Sequence, residues 1–274
     1  MKDEYGQLIS RLPFKGRVQS KYNHPLFIQA ISDCPRLLND PGCEMLLDSR
    51  NRVGAVRLPL PDGKEAEIVI KEFRTLGVNK LKSAFLPGKA FKAWRGGNAL
   101  IERDIETPFP VAYLERRKDL FLEESFFLSE RVRGIEEIRS LFRELTPSEL
   151  RELLVSLAKY VSLCHRKGIL HRDLSDGNIL VREEKEGAFR FYLIDTNRIR
   201  IKWRIGRLRG IKNLIRLGVP PDFQPFFLEQ YLDPSQLKKY SWFWYKTNKM
   251  IYSGYIELKK KLRLRQLARK LKVQ

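Results

Sequence analysis

Cysteine is scarce in this chain, acidic residues are outnumbered, and no apolar run approaches the length of a membrane span. Of 274 residues only three are cysteines, Cys34, Cys43 and Cys164, and no two form a C-x-x-C pair. Such thiols build neither a disulfide scaffold nor a zinc site, and they point to a reducing, cytosolic compartment. The apolar runs fall far short of the roughly 18 residues that a transmembrane helix needs. The N-terminus, MKDEYGQLIS, lacks an apolar core, so no secretory signal is expected. With 43% hydrophobic and 31% charged residues, the composition excludes a disordered chain. It suits one large domain or two small lobes able to bury a core.

The shortage of acid is local. The chain has 33 Asp+Glu against 53 Lys+Arg, a net charge of +20. Residues 198–216 hold eight Lys/Arg and residues 258–274 hold eight more, neither stretch with an acid, so the two carry +16. Interleaved with apolar residues, they form a candidate surface for an anionic partner. In LKKKLRLRQLARKLK, Leu264, Leu267 and Leu271 recur at helical spacing. Two readings fit this stretch: a helix lying on an anionic membrane, or a terminal helix docked on its own domain.

There is no internal repeat, heptad run or low-complexity linker. The first ~130 residues read mainly as strands and turns. Strands are expected at 44–48, 52–60 and 65–73, with Pro61-Asp62-Gly63 as a turn. In the third, alternation sets Ala66, Ile68 and Ile70 on one face and Val69 and Lys71 on the other. Residues 89–102 read as a helix, and 111–115 and 121–132 as strands. Pro147-Ser148-Glu149 opens a helix with apolar positions Leu150, Leu153, Leu154, Leu157, Ala158 and Val161. A sheet-rich first half and a helical second half suggest lobes 1–132 and 133–274, with a hinge near 129–134.

The chemistry-bearing motif is ILHRDLSDGNILV, residues 169–181, which sets Asp173 five residues before Asn178 as H-R-D-x-x-x-x-N. A turn at 182–187 leads to a second strand, FYLID, ending at Asp195. The combination resembles the catalytic loop and metal-binding segment of protein-kinase-like phosphotransferases. Phosphoryl transfer needs an acceptor hydroxyl held in line with the γ-phosphate and cations that neutralise developing charge. Asp173 is the candidate base. Asn178 and Asp195 offer oxygen ligands for Mg²⁺. Lys71, in EIVIKEF, stands where a kinase places the lysine that contacts the α- and β-phosphates of ATP. FFLSERVRG resembles the strand and linker that meet adenine, with the Glu130 carbonyl and Val132 amide as the expected backbone contacts.

Three departures accompany these matches. A G-x-G-x-x-G loop is missing, and Asp48-Ser49-Arg50-Asn51-Arg52 takes its place, with Ser49 and Arg50 as candidate phosphate contacts. The 89–102 helix has no mid-helix acid to pair with Lys71, and Glu102 at its end is the nearest candidate. Asp195 is followed by Thr196-Asn197 rather than Phe-Gly.

On these residues, together with GKAFKAWRGGNALIERDIETPFPVAYLE and FYLIDTNRIR, the chain resembles the bacterial lipopolysaccharide core kinases, which phosphorylate Kdo or heptose sugars. The segment Ile105-Glu106-Thr107-Pro108-Phe109-Pro110 and the Asp-x-Asn-Arg at 195–198 are typical of that family. The resemblance implies an α+β, bilobal protein-kinase-like fold with an antiparallel-sheet N-lobe and a compact helical C-lobe. It also implies ATP and Mg²⁺ as cofactors, a cytoplasmic location and a lipid-linked core oligosaccharide as acceptor at the inner membrane. Only 79 residues follow Asp195, without an A-P-E element, which argues against a protein acceptor. The basic surface argues against a cationic small molecule. A nucleic-acid-binding module without turnover is the alternative of another class. No RNP, zinc-finger or helix-turn-helix signature supports it, and nucleic acid is not the expected partner. The aromatic run at 240–245 is expected in the core.

Overall fold

Alternating apolar and polar residues build most of the first unit, because period two is the period of a strand with one buried face. The structure is a computed structural model. It describes every residue except 1–4, 12, 50, 61–62, 75–82, 185–186, 233–238 and 271–274, and the backbone alone at 11 and 263–270. It divides into two compact units, residues 1–136 with 180–200, and residues 137–179 with 201–274. Among the described residues no helix is long and apolar enough to cross a membrane.

The first unit is built on strands β1 (Gln7–Arg11), β2 (Phe14–Val18), β3 (Glu44–Asp48), β4 (Arg52–Pro59), β5 (Glu65–Glu72), β6 (Pro110–Lys118) and β7 (Phe121–Glu130). They form one antiparallel sheet in the order β1-β2-β6-β7-β5-β4-β3. One face is covered by α1 (Pro25–Ile31) and α2 (Cys34–Asn39), whose Phe27, Ile31, Cys34 and Leu38 pack in one buried cluster with Ile68, Ile70 and Phe126. Toward the other face, Phe73 packs with Ala90 and Ala93 of α3 (Lys89–Ile101). Lys71 shares the parity of Phe73, so it projects on the α3 side. Strands β8 (Ile169–His171), β9 (Ile179–Glu183) and β10 (Phe189–Leu193) follow in the chain, β9 and β10 as neighbours.

The expected strands and the 89–102 helix stand within a residue or two of their observed bounds, except that the strand read at 111–115 runs on to Lys118. Residues 1–40 differ more. They hold a hairpin and the two short helices, where the sequence reads mainly as strands and turns. Helices of seven and six residues are too short to display a 3.6-residue period, though each begins with a proline in its first turn. The expected turn at 61–63 lies partly outside the described residues.

The second unit is helical: α4 (Ile138–Glu144), α5 (Pro147–Arg166), α6 (Arg207–Leu214), α7 (Gln224–Tyr231) and α8 (Lys239–Lys270). The α5 N-terminus closes with a capping box in which the Thr146 hydroxyl and Glu149 carboxylate each accept a hydrogen bond from the other residue's backbone amide. All six apolar positions read from the α5 sequence are buried. Trp244 of α8 donates through Nε1 to the Leu208 carbonyl at 2.9 Å. The 240–245 run is split: Ser241 and Tyr245 are buried, whereas Tyr240 and Phe243 are exposed. A large antiparallel sheet with a helical C-terminal part is the α+β class expected. All three cysteines are free thiols, and burial pushes Cys164 up to about 12, so it packs as a small apolar residue.

Truncating Phe27 tests whether α1 belongs to the sheet's core. Phe27→Ala should cost about 3–5 kcal/mol in urea unfolding. The exposed Leu26→Ala should stay within about 0.5 kcal/mol of the parent. Equal effects would contradict the packing described.

Candidate active site

Lys71 and Asp195 meet inside the first unit. Lys71 stands on β5 opposite Val53 and Phe127, and its Nζ lies 2.6 Å from Asp195 Oδ1. Asp195 adopts a left-handed backbone (φ 56°), a conformation that Asp tolerates better than most side chains. Three contacts hold it there. Arg198 N donates to the Asp195 carbonyl at 3.0 Å. With its amide nitrogen turned toward Asp195, Asn197 donates to Oδ1 at 2.9 Å. Thr196 Oγ1 donates to the Ala93 carbonyl of α3 at 2.8 Å, buried from solvent. Helix α3 comes so near this turn that a Cβ on Gly96 would stand 2.1 Å from the Thr196 carbonyl oxygen. Only glycine permits that approach.

The Glu106-Thr107-Pro108-Phe109 segment ties two parts of this unit together. Leu193 N donates to the Glu106 carbonyl at 3.0 Å, and Thr107 Oγ1 donates to the Leu193 carbonyl at 2.7 Å. One turn on, the Phe109 carbonyl accepts from Glu130 N at 2.9 Å. The Glu130 carboxylate accepts from Tyr22 Oη at 2.5 Å and Lys21 Nζ at 3.1 Å. Burial, and then this bond to Glu130, push the Tyr22 hydroxyl well above its usual range. Val132 lies half-buried just past β7. Between β3 and β4, Ser49 is exposed and its carbonyl accepts from Arg74 Nη1 at 3.0 Å, while Arg50 lies outside the described residues. Glu102, the candidate partner for Lys71 at the end of the 89–102 helix, caps α3 and pairs with Arg103 at 3.3 Å. The acid that meets Lys71 is Asp195.

Asp173 and Asn178 come together in the second unit. Asp173 follows the buried strand β8, and its amide donates to His171 Nδ1 at 3.2 Å. Asn178 Nδ2 donates to the Asp173 carbonyl at 2.8 Å, so the two ends of the loop are closed on each other. The Asp173 carboxylate accepts from Arg216 Nη2 at 2.5 Å, with Arg216 Nη1 3.5 Å from the Arg172 carbonyl. Beneath the loop runs a polar chain. Asn213 Nδ2 donates to the His171 carbonyl at 2.9 Å, and Asn213 Oδ1 lies 3.0 Å from His165 Nε2. His165 Nδ1 lies 2.6 Å from Tyr231 Oη. A neutral imidazole satisfies both contacts, Nε2 donating and Nδ1 accepting. Burial lowers the His165 pKa below its ordinary 6.5 and favours that form.

Sequence reasoning passed over Arg216, Asn213 and His165, whose partners lie 42 to 66 residues away and leave no local pattern. Asn197 stands out in the sequence as part of Asp-x-Asn-Arg, but its bond to Asp195 does not, and nothing local marks Gly96 as the point of closest approach.

The neutral His165 has a consequence for pH. The unfolded chain binds a proton near 6.5 that the folded chain resists, so stability rises with pH across this window. The contribution should be present above 6.5 and decline as the pH falls from 6.5 toward the lowered folded value. Urea midpoints at about pH 7.5 and about pH 5.5 should differ less in His165→Gln than in the parent. An identical difference in both proteins would contradict the assignment.

The model of the lipopolysaccharide kinase (Kdo/WaaP) family matches residues 69–220. That span is more than half the chain and includes Lys71, Asp173, Asn178, Asp195 and Arg216. A solved structure described as WaaP in complex with acyl carrier protein is also similar, with a TM-score of 0.49 and 22% sequence identity over 69% of this chain and 77% of that one. On the family match, the chain belongs to the lipopolysaccharide kinase (Kdo/WaaP) family, a family of phosphotransferases.

Proposed function

We propose that this kinase transfers the γ-phosphoryl group of ATP, with Mg²⁺, to a sugar hydroxyl of Kdo or heptose in the lipopolysaccharide inner core. The contact of Lys71 with Asp195 at 2.6 Å is the observation that carries the reading, because it sets a cation of the kind that binds phosphate beside a carboxylate of the kind that binds a metal. The donor types suit a hard cation: Asp195 of the first unit offers carboxylate oxygens, and Asn178 of the second, its Nδ2 engaged by the Asp173 carbonyl, keeps Oδ1 as an acceptor. Among the described residues no three His, Cys, Asp or Glu cluster as a cage. Asp195 and Asn178 would be the cation's protein ligands, with nucleotide phosphates and water completing the set. When bound, Mg²⁺ neutralises charge that develops on the transferring group.

The chain's own residues do the rest. Lys71 orients the α- and β-phosphates. Ser49 and Arg50 contact phosphate in place of a glycine-rich loop, and the Glu130 carbonyl and Val132 amide meet adenine. Asp173 accepts the acceptor's hydroxyl proton, its carboxylate aimed by Arg216 and its backbone held by His171 and Asn178. The exposed Phe243, Met250, Ile251, Tyr255, Leu258 and Leu262 of α8, set among lysines, favour peripheral contact with an anionic membrane on the cytoplasmic side.

The test is transfer of label from γ-labelled ATP, with Mg²⁺, to extracted core glycolipid, a generic protein and RNA. Label should enter the glycolipid and fall at least about 100-fold in Asp173→Ala. Label in protein or RNA alone, or wild-type turnover by Asp173→Ala, would contradict the proposal.

A further inference from the structure

The second unit contains a cavity of about 850 Å³ that the phosphotransfer residues do not occupy. Its walls carry Lys159 and Arg166 from α5, Arg204 and Arg207 near the start of α6, and a single acid, Glu229. Four cations against one carboxylate give it a positive field. The size is that of a small-molecule site, large enough for one or two sugar units. Arg166 is braced through Nη1 on Ser162 Oγ at 2.9 Å, and the Arg207 guanidinium lies 4.9 Å over the Tyr240 ring, so neither has to be ordered by its ligand. Gly206 supplies no side-chain cap to α6, so the first amides of that helix add to the field.

Trp203 makes the ligand more specific. It lines the cavity and is fully exposed, which is unusual for the largest apolar side chain. An indole face beside guanidinium groups matches a sugar ring, whose C–H face stacks on the aromatic surface while a phosphate takes the charge-assisted hydrogen bonds. The cavity wall also includes His165, which reaches through Asn213 to the His171 carbonyl, two residues before Asp173.

We propose that this cavity is a docking subsite for a phosphorylated saccharide. The ligand class follows from the lining. Its role as a second anchor for the acceptor rests on the sugar-kinase reading above.

Binding is measured by calorimetry on the full chain carrying Asp173→Ala, so that turnover does not intervene. The probes are glucose 1-phosphate, glucose and inorganic phosphate. Glucose 1-phosphate should bind saturably and more tightly than either control. Adding Arg204→Ala should weaken glucose 1-phosphate and inorganic phosphate roughly tenfold. Adding Trp203→Ala should weaken glucose 1-phosphate by a similar factor and leave inorganic phosphate unchanged. Absence of saturable binding, or affinities indifferent to both substitutions, would overturn the subsite whether or not the protein turns over. So would RNA binding that these substitutions abolish when the sugar phosphate does not bind. The source of the ligand is read from turnover with Asp173 intact. A raised KM for core glycolipid in Arg204→Ala, at unchanged kcat and unchanged KM for ATP, assigns it to the lipid-linked acceptor. An unchanged KM, with the calorimetric loss still present, assigns it to a free sugar phosphate.

Discussion

Lys71 and Asp195 stand 124 positions apart in sequence and 2.6 Å apart in space, and much of the first unit serves to hold them there. Lys71 is placed by strand register: Ile68 and Ile70 are buried on one face, so the odd-numbered positions must point to the other. Asp195 is placed by docking of its turn on α3, through the Thr196 hydroxyl and the bare Cα of Gly96. Pairing the lysine directly with Asp195 gives α3 a different task from that of a helix supplying a carboxylate. It acts as a backstop, and its glycine and alanines set how near the turn can come. Losing either side chain would take a 2.6 Å charge contact from the other, which is partly buried.

The second unit solves a related problem with polar groups. A loop that presents a carboxylate cannot be packed like a core, so its backbone is tied at both ends by side chains: His171 on the Asp173 amide, and Asn178 on the Asp173 carbonyl. The Tyr231–His165–Asn213 chain supports it from below, each member satisfying the next. Such a chain is strong only when complete, because a single missing partner leaves a buried donor or acceptor unpaired. Arg216 then aims the carboxylate itself. Helices α5, α6 and α7 each contribute to this support, which makes the helical unit a scaffold for one loop.

How legible this was in the sequence varied with the range of the interaction. Period-two and 3.6-residue patterns revealed β5, α3 and α5, since their faces repeat often enough to be counted. The seven- and six-residue helices α1 and α2 were missed for lack of repeats. Asp173, Asn178, Asp195 and Lys71 could be singled out as candidates because their local spacing has a chemical meaning. Arg216 and His165 have no local spacing of that kind, and only the fold pairs them with Asp173 and Asn213. The Lys71 partner shows the same limit: its place at the end of the 89–102 helix suggested Glu102, whereas register and the α3 contact bring Asp195.

In the proposed function Lys71 and Asp195 serve the nucleotide phosphates and Asp173 acts on the acceptor alone. Equilibrium binding of ATP in the presence of Mg²⁺ separates these roles most directly. Lys71→Met and Asp195→Ala should each weaken ATP by roughly tenfold or more, the loss expected when a charge-assisted phosphate or metal contact is removed. Asp173→Ala should bind ATP as the parent does. Wild-type ATP affinity in both Lys71→Met and Asp195→Ala would contradict the account.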